Sequence, residues 1–165
     1  MFTALAAEAE PPQQSVSQNS FISASEHADA ATLMLAAHPL NPGTHVLVIG
    51  RHTLNPLLAL MKSGCSAVET QTLNAPLNHP EPASLAWISD ITSEQELDAA
   101  VTQASSCLDS DGSMVLDATE LAQPTAVAIT LKYLMKVGFR LRSVLRQGQH
   151  LILVATRRPQ LAVTS

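Results

Sequence analysis

At 165 residues, with 46% hydrophobic, 14% charged and 3% aromatic side chains, the chain is long enough for one domain with a core of its own and too apolar to stay disordered. No apolar run approaches the roughly 20 residues of a membrane helix. The net charge of -5 conceals an asymmetry: fourteen acids and two bases lie up to Glu120, and seven bases with no acid follow from Lys132 onward. A basic end of this kind suits an anionic partner, a solvated face, or contact with the acidic body of another subunit.

Residues 1–20 are rich in Ala, Gln, Ser, Glu and Pro, which reads as a flexible or loosely docked arm before a single domain over 21–165. They hold no Lys or Arg and no sustained apolar stretch, so they do not resemble a secretory signal, and a cytoplasmic location is the expectation. Ser23-Ala24-Ser25-Glu26 has the form of a capping box ahead of a helix that runs to Ala37 and stops before Pro39 and Pro42-Gly43. Val46–Ile49 is a β-branched and aliphatic run suited to a strand buried on both faces. Asn55 can cap a helix opening at Pro56, with Leu54, Leu57, Leu58 and Met61 at helical spacing and Gly64 as the stop. A strand near Ser66–Thr70 follows, and then a loop through Pro76, Pro80 and Pro82.

Leu85–Ser89 reads as a further buried strand, and Ser93-Glu94-Gln95-Glu96 as a second capping box. The helix behind it carries an apolar stripe of Leu97, Ala100, Val101, Ala104 and Leu108. Asp109–Gly112 is a turn leading into the strand Ser113–Ala118. Pro124 opens a helix with an apolar face of Val127, Leu131, Leu134 and Met135, and Gly138 ends it. Strands near Phe139–Arg146 and His150–Thr156 close the chain. The three or four residues between them are too few for a parallel crossover, so they pair antiparallel. The alternation predicts an α/β fold: an open, mostly parallel twisted sheet with helices on both faces and an antiparallel C-terminal hairpin.

Cys65 and Cys107 form no CxxC pair, and the six histidines have no metal-ligand spacing; buried thiols and ordinary histidines are the reading, with no metal. Along Phe139–Arg146, strand alternation puts Phe139, Leu141, Ser143 and Leu145 on one face and Arg140, Arg142, Val144 and Arg146 on the other. The basic row, with Arg157-Arg158, suits edge protection, contact with another subunit or a protein partner. The acidic total charge and the scarcity of aromatic residues speak against nucleic acid.

Several stretches resemble the class I S-adenosylmethionine-dependent methyltransferases. Leu108-Asp109-Ser110-Asp111-Gly112-Ser113-Met114-Val115-Leu116 is similar to the family's "L-x-P-G-G-x-L-x-L" segment. Gly138-Phe139, a basic strand and Leu151-Ile152-Leu153-Val154-Ala155-Thr156-Arg157 resemble its "G-F … L-L-x-A-x-K/R" ending. Val46–Gly50 is similar to its first strand with the first cofactor-loop glycine. The likeness spans roughly 22–158.

The resemblance implies S-adenosylmethionine as cofactor, with Gly50, His52, Glu69 and Asp90 around it; Glu69, nineteen residues beyond Gly50, stands for the acid that binds the ribose hydroxyls. Gly50, Glu69 and Asp90 are expected at three strand ends, where open α/β sheets bind ligands. Two departures from the family pattern are plain. The acid and three alternate glycines of its loop read Val48, Gly50, His52 and Leu54, and only fifteen residues separate Glu69 from Leu85, so the fold is shortened there. Three readings of function follow: a methyltransferase-like protein that binds the cofactor through a divergent loop, a catalytically inactive interaction or oligomerisation module of that fold, and a degenerate nicotinamide-binding domain.

Overall fold

The computed structural model describes residues 29–76 and 81–158. The expected arm over 1–20, the Ser23–Glu26 capping box, His27 and His79 lie outside the described residues. Helix α1 (Ala30–Ala37) begins at Asp29, whose extended backbone and side chain form the cap by accepting from the Thr32 amide at 2.8 Å.

Strand β1 (His45–Gly50) has all of Val46–Ile49 buried, alternately in two layers. Leu47 and Ile49 join a cluster with Leu97, Ala100, Val101 and Ala104 of α3 (Glu94–Cys107) and Leu134 of α4 (Pro124–Lys136). Val46 and Val48 join Leu33 and Met34 of α1 and Leu60 of α2 (Leu54–Lys62) on the opposite face. The continuous apolar run thus marks a central strand covered on both sides.

With β2 (Ala67–Thr72), β3 (Ala83–Ile88), β4 (Leu108–Asp117), β5 (Phe139–Gln147) and β6 (His150–Arg157), the sheet has the order β2-β1-β3-β4-β6-β5. The first four strands are parallel, β6 is antiparallel to β4, and β5 is antiparallel to β6. The expected fold class holds, including the shortening: β2 and β3 are joined through 73–82, and no helix or strand occurs among the described residues of that link. β1 lies between β2 and β3, so the connection after β1 runs to one side of it and the connection after β3 runs on to the other. That reversal opens a crevice beyond the strand ends.

Four local expectations are corrected. Helix α2 begins at Leu54 after Thr53, and no side chain caps it. Proline is tolerated throughout a first turn, where its missing N–H has no helical acceptor, so Pro56 does not mark the first residue and Asn55 is not the cap. The sheet-facing residues of α2 are Pro56 and Leu60, whereas Leu54, Leu58 and Met61 of the expected apolar stripe are 63%, 45% and 58% exposed. On α4, Leu134 is buried and Val127 and Leu131 pack against the core, but Met135 points outward.

The third correction concerns Asp109–Gly112, which lies inside β4 as a bulge: Ala83 pairs with Leu108 and Leu85 with Ser113, so five steps on one strand match two on the other. The fourth is a second bulge, at Arg142, where Leu141 pairs with Ala155 and Ser143 with Val154. Alternation reverses there, so Phe139 and Leu141 pack with the α3/α4 layer and Leu145 with the α1/α2 layer. The basic row is therefore split: Arg140 pairs with Thr156, Arg146 with Leu151, and the two fall on opposite faces.

The second capping box forms at its Ser93 half, while Glu96 reaches one residue further back. Ser93 Oγ accepts from the Glu96 amide at 3.2 Å, and Glu96 Oε2 reaches back to the Thr92 amide and hydroxyl at 2.9 Å. Gly138 ends α4 at a φ of 94°, a conformation glycine adopts without a side-chain clash. Both cysteines are free and buried, and no helix among the described residues is long and apolar enough to cross a membrane.

Candidate functional site

The ends of β1, β3 and β4 bring Gly50, Ser89, Asp90 and Asp117 to one rim of the sheet. At Gly50 the backbones of β1 and β3 approach closely. A Cβ there would stand 2.6 Å from the Ser89 carbonyl oxygen, and the Ser89 amide donates to the Ile49 carbonyl at 3.1 Å. Packing between strands therefore accounts for this glycine without any ligand. Arg51, the next residue, leaves the strand end and ion-pairs with Glu96 in the first turn of α3. The Glu96 carboxyl is held below its ordinary range, chiefly by the Thr92 amide and also by Arg51.

His52 and Asp90 meet, with Nδ1 3.5 Å from Oδ2, at 81% and 44% side-chain exposure. So exposed a pair contributes little attraction. Asp90 has a φ of 57°, in the left-handed region that aspartate tolerates better than most residues.

Glu69 does not join this group. It lies within β2 opposite Leu47, and the residue level with Gly50 is Thr72. Its carboxylate is 3.3 Å from His45 Nε2, toward the start of β1, and His45 Nδ1 is 3.2 Å from the Pro82 carbonyl. Glu69 lines an open hollow of 420 Å³ with Leu47, Gln71, Thr72 and Pro76, near Gln103, whose amide donates to the Thr72 and Ala75 carbonyls at 3.4 Å. Of the four residues singled out in the sequence, Gly50, His52 and Asp90 converge and Glu69 stands apart.

Two further hollows adjoin at the rim. One, of 190 Å³, is lined by Asp29 and Met34 of the α1 end, His52, Trp87, Ser89, Asp90 and Asp117. The other, of 140 Å³, shares Asp90 and Asp117 and adds Thr119, Glu120 and His150. Asp117 Oδ1 accepts from the Thr119 amide at 3.0 Å and from its hydroxyl, which lies 3.5 Å from His150 Nδ1. The Asp29 carboxyl is held below its ordinary range by its bonds to Thr32, with a smaller contribution from His150. Inside the rim, Trp87 Nε1 and Ser89 Oγ are buried and have no hydrogen-bond partner among the described residues. Each such orphan costs about 1–3 kcal/mol.

Sequence reasoning missed Asp29, Trp87 and Asp117 as neighbours of Asp90. A signal existed for Asp117, which ends a buried strand as Asp90 follows one; none existed for Asp29, which reaches the rim through tertiary packing. Among the described residues no group of three His, Cys, Asp or Glu is placed to hold a metal.

These observations test the cofactor that the resemblance implies. A bare-backbone loop would leave room at Gly50 and at the two positions after it in the pattern. Here β3 leaves no room for a side chain at Gly50, and the others carry His52 and Leu54. The acid is absent from the end of β2. The residues present do not form the cradle the family pattern describes.

By sequence, no family model and no curated protein matches the chain. By structure, many solved chains do. A ribosomal protein L11 methylase from Lactobacillus delbrueckii subsp. bulgaricus aligns with a TM-score of 0.61 at 18% identity, over 78% of this chain and 77% of that one. A TehB-like SAM-dependent methyltransferase from Corynebacterium glutamicum aligns with a TM-score of 0.59 at 12% identity, over 82% and 91%. A methyltransferase from Pyrococcus furiosus gives 0.57 at 12%, over 76% and 80%. Strand order, the antiparallel final strands and these alignments agree: the chain has the fold of the class I S-adenosylmethionine-dependent methyltransferases.

Proposed function

We propose that this chain is a methyltransferase-fold protein that no longer transfers methyl groups and acts as a binding module. The observation that carries this reading is the rim of β1. The one glycine kept from the loop pattern is consumed by the approach of β3, and the next two positions bear a histidine and a leucine. Methyl transfer asks little of side chains beyond aligning a nucleophile with an already activated methyl carbon, so holding the sulfonium cofactor is most of the catalytic task. A loop that cannot hold it removes that alignment.

The outer edge of the sheet along β5, which carries Arg140 on one face and Arg146 on the other, is what we assign to a protein partner or a second copy. Calorimetric titration with S-adenosylmethionine and S-adenosylhomocysteine tests the reading. The expected result is no saturable heat at millimolar cofactor. Micromolar binding that disappears in Glu69→Ala would overturn it and support the first reading, a methyltransferase-like protein using a divergent loop.

A further inference from the structure

We infer that the open edge of β5 takes up an acidic, extended segment of another protein as an added strand; this deepens the assignment of that edge to a partner and rests on it. β5 pairs with β6 on one side and has no neighbouring strand on the other among the described residues. Alternate backbone N–H and C=O groups along it therefore point away from the sheet. The Arg158 amide donates to the Gly138 carbonyl at 2.8 Å, which makes that pair a bonded one. By alternation, Phe139 and Leu141 turn their backbone groups to the open side. An extended segment laid along such an edge gains main-chain hydrogen bonds whatever its sequence, and the side chains then set which segment binds.

Charge makes that choice here. Arg140, Arg142 and Arg146 are exposed, and among the described residues no carboxylate forms an ion pair with any of them. Arg146 reaches only the Ala122 carbonyl, at 3.4 Å. Arg51 and Arg157, by contrast, are held by Glu96 and by the Leu108 carbonyl. The edge thus presents unused backbone groups and unpaired guanidinium groups together, and acidic side chains on an incoming strand complement both.

A second copy fits this edge poorly. Two chains joined along β5 would bring their arginine rows together, which like charge opposes. The opposite edge of the sheet, β2, carries one acid, Glu69, and His45 already meets it. Charges that deter like strands leave an acidic strand of another protein as the favoured occupant. The bulge at Arg142 breaks the regular edge, so the even stretch Ser143–Gln147 sets the length of the added strand at five residues. Within it Val144, 49% exposed, and Arg146 share the face covered by α3 and α4. The incoming strand therefore carries an apolar residue and an acid two positions apart.

The probe is the end-capped peptide Thr-Glu-Thr-Val-Thr-Glu-Thr, titrated into the full chain while backbone amide resonances and amide hydrogen exchange are followed. The expected result is saturable shifts along β5, with slower exchange at alternate amides of that strand. A peptide with Lys in place of both Glu should bind about tenfold weaker or more. Two further peptides carry N-methyl groups, one on each alternate set of amides, and keep both acids. Strand addition needs one of those sets, so one of the two should also lose about tenfold or more. Arg146→Glu should weaken the parent peptide similarly and leave the fold intact, because its side chain is exposed.

No saturable shift at millimolar peptide would overturn the inference. So would equal binding of both N-methylated peptides and the parent, which would mean charge attraction without an added strand. Undiminished binding by a folded Arg146→Glu variant, or equal binding of the Lys peptide, would overturn it as well. A parallel titration with S-adenosylmethionine separates the two conclusions. Cofactor binding would contradict the loss of methyl transfer, whereas the peptide results alone decide this edge.

Discussion

Replacing Gly50 with alanine puts a methyl carbon 2.6 Å from the Ser89 carbonyl oxygen, with the Ser89 Oγ and carbonyl carbon at 3.3 and 3.4 Å. The obstacle is backbone on a central strand, hydrogen-bonded through Ser89 N–H to Ile49, so no flexible side-chain end can swing aside. Relief requires β1 and β3 to separate where Val48, Ile49, Trp87 and Ile88 are all buried. Overpacking of this kind costs about 1–3 kcal/mol, and a rigid obstacle puts this case near the upper limit. At about 2–4 °C per kcal/mol for a domain of this size, the melting temperature should fall by about 6–12 °C. Thermal and urea unfolding of the unliganded protein, with circular dichroism as the probe, measure the loss. A Gly50→Ala variant within about 0.5 kcal/mol of the parent would be incompatible with this packing. It would show that the glycine is free of the strand and kept for some other use.

Leu60→Ala, which empties a fully buried position between α2 and the sheet, should cost about 2–5 kcal/mol in urea unfolding. Leu58→Ala on the exposed side of that helix should stay within about 0.5 kcal/mol. Ser93→Ala should cost about 1 kcal/mol through the lost cap, and Asp29→Ala should show a loss of similar size. The depressed Asp29 carboxyl contributes stability that is present above its unfolded value of 3.8 and lost as pH falls through the lower folded value; the stability gap to Asp29→Ala should therefore narrow under acid. Burial, with the bond to Asp98, pushes the Tyr133 hydroxyl up to about 12, and it is the only tyrosine. Alkaline absorbance titration should show ionisation well above 10 in the folded protein, and Asp98→Ala should bring it down.

Much of the fold was legible because one local rule decided each element. The run Val46–Ile49 suits a strand with both faces covered, and the short link between Arg146 and His150 permits only antiparallel pairing. Ser93 and Glu96 formed their cap because both partners are local in sequence. What failed depended on distant partners. The face of α2 was assigned by spacing, but Pro56 and Leu60 face the sheet because the crossover from β1 to β2 fixes the helix rotation. The bulges at Asp109–Gly112 and Arg142 arise from register with β3 and β6, which periodicity within one strand does not encode.

The same division governs the site. Gly50, His52 and Asp90 lie near one another because each stands at or just beyond the end of a buried strand, and Asp117 ends a strand in the same way. Glu69 was placed at a strand end by counting, and β2 runs on to Thr72. Trp87 looked like core, and it is core. Its unpaired indole N–H appears only once the neighbours are in place.

The chain has the methyltransferase fold, and we propose that it lacks the cofactor cradle. The most direct measurement follows assigned backbone amide resonances of the full chain while S-adenosylhomocysteine is added to millimolar concentration. The amides of Gly50, Arg51, His52, Glu69 and Thr72 are expected not to move. Saturable shifts at Gly50, Arg51 and His52, fitting a micromolar Kd, would overturn this reading and place a working cofactor site at the end of β1.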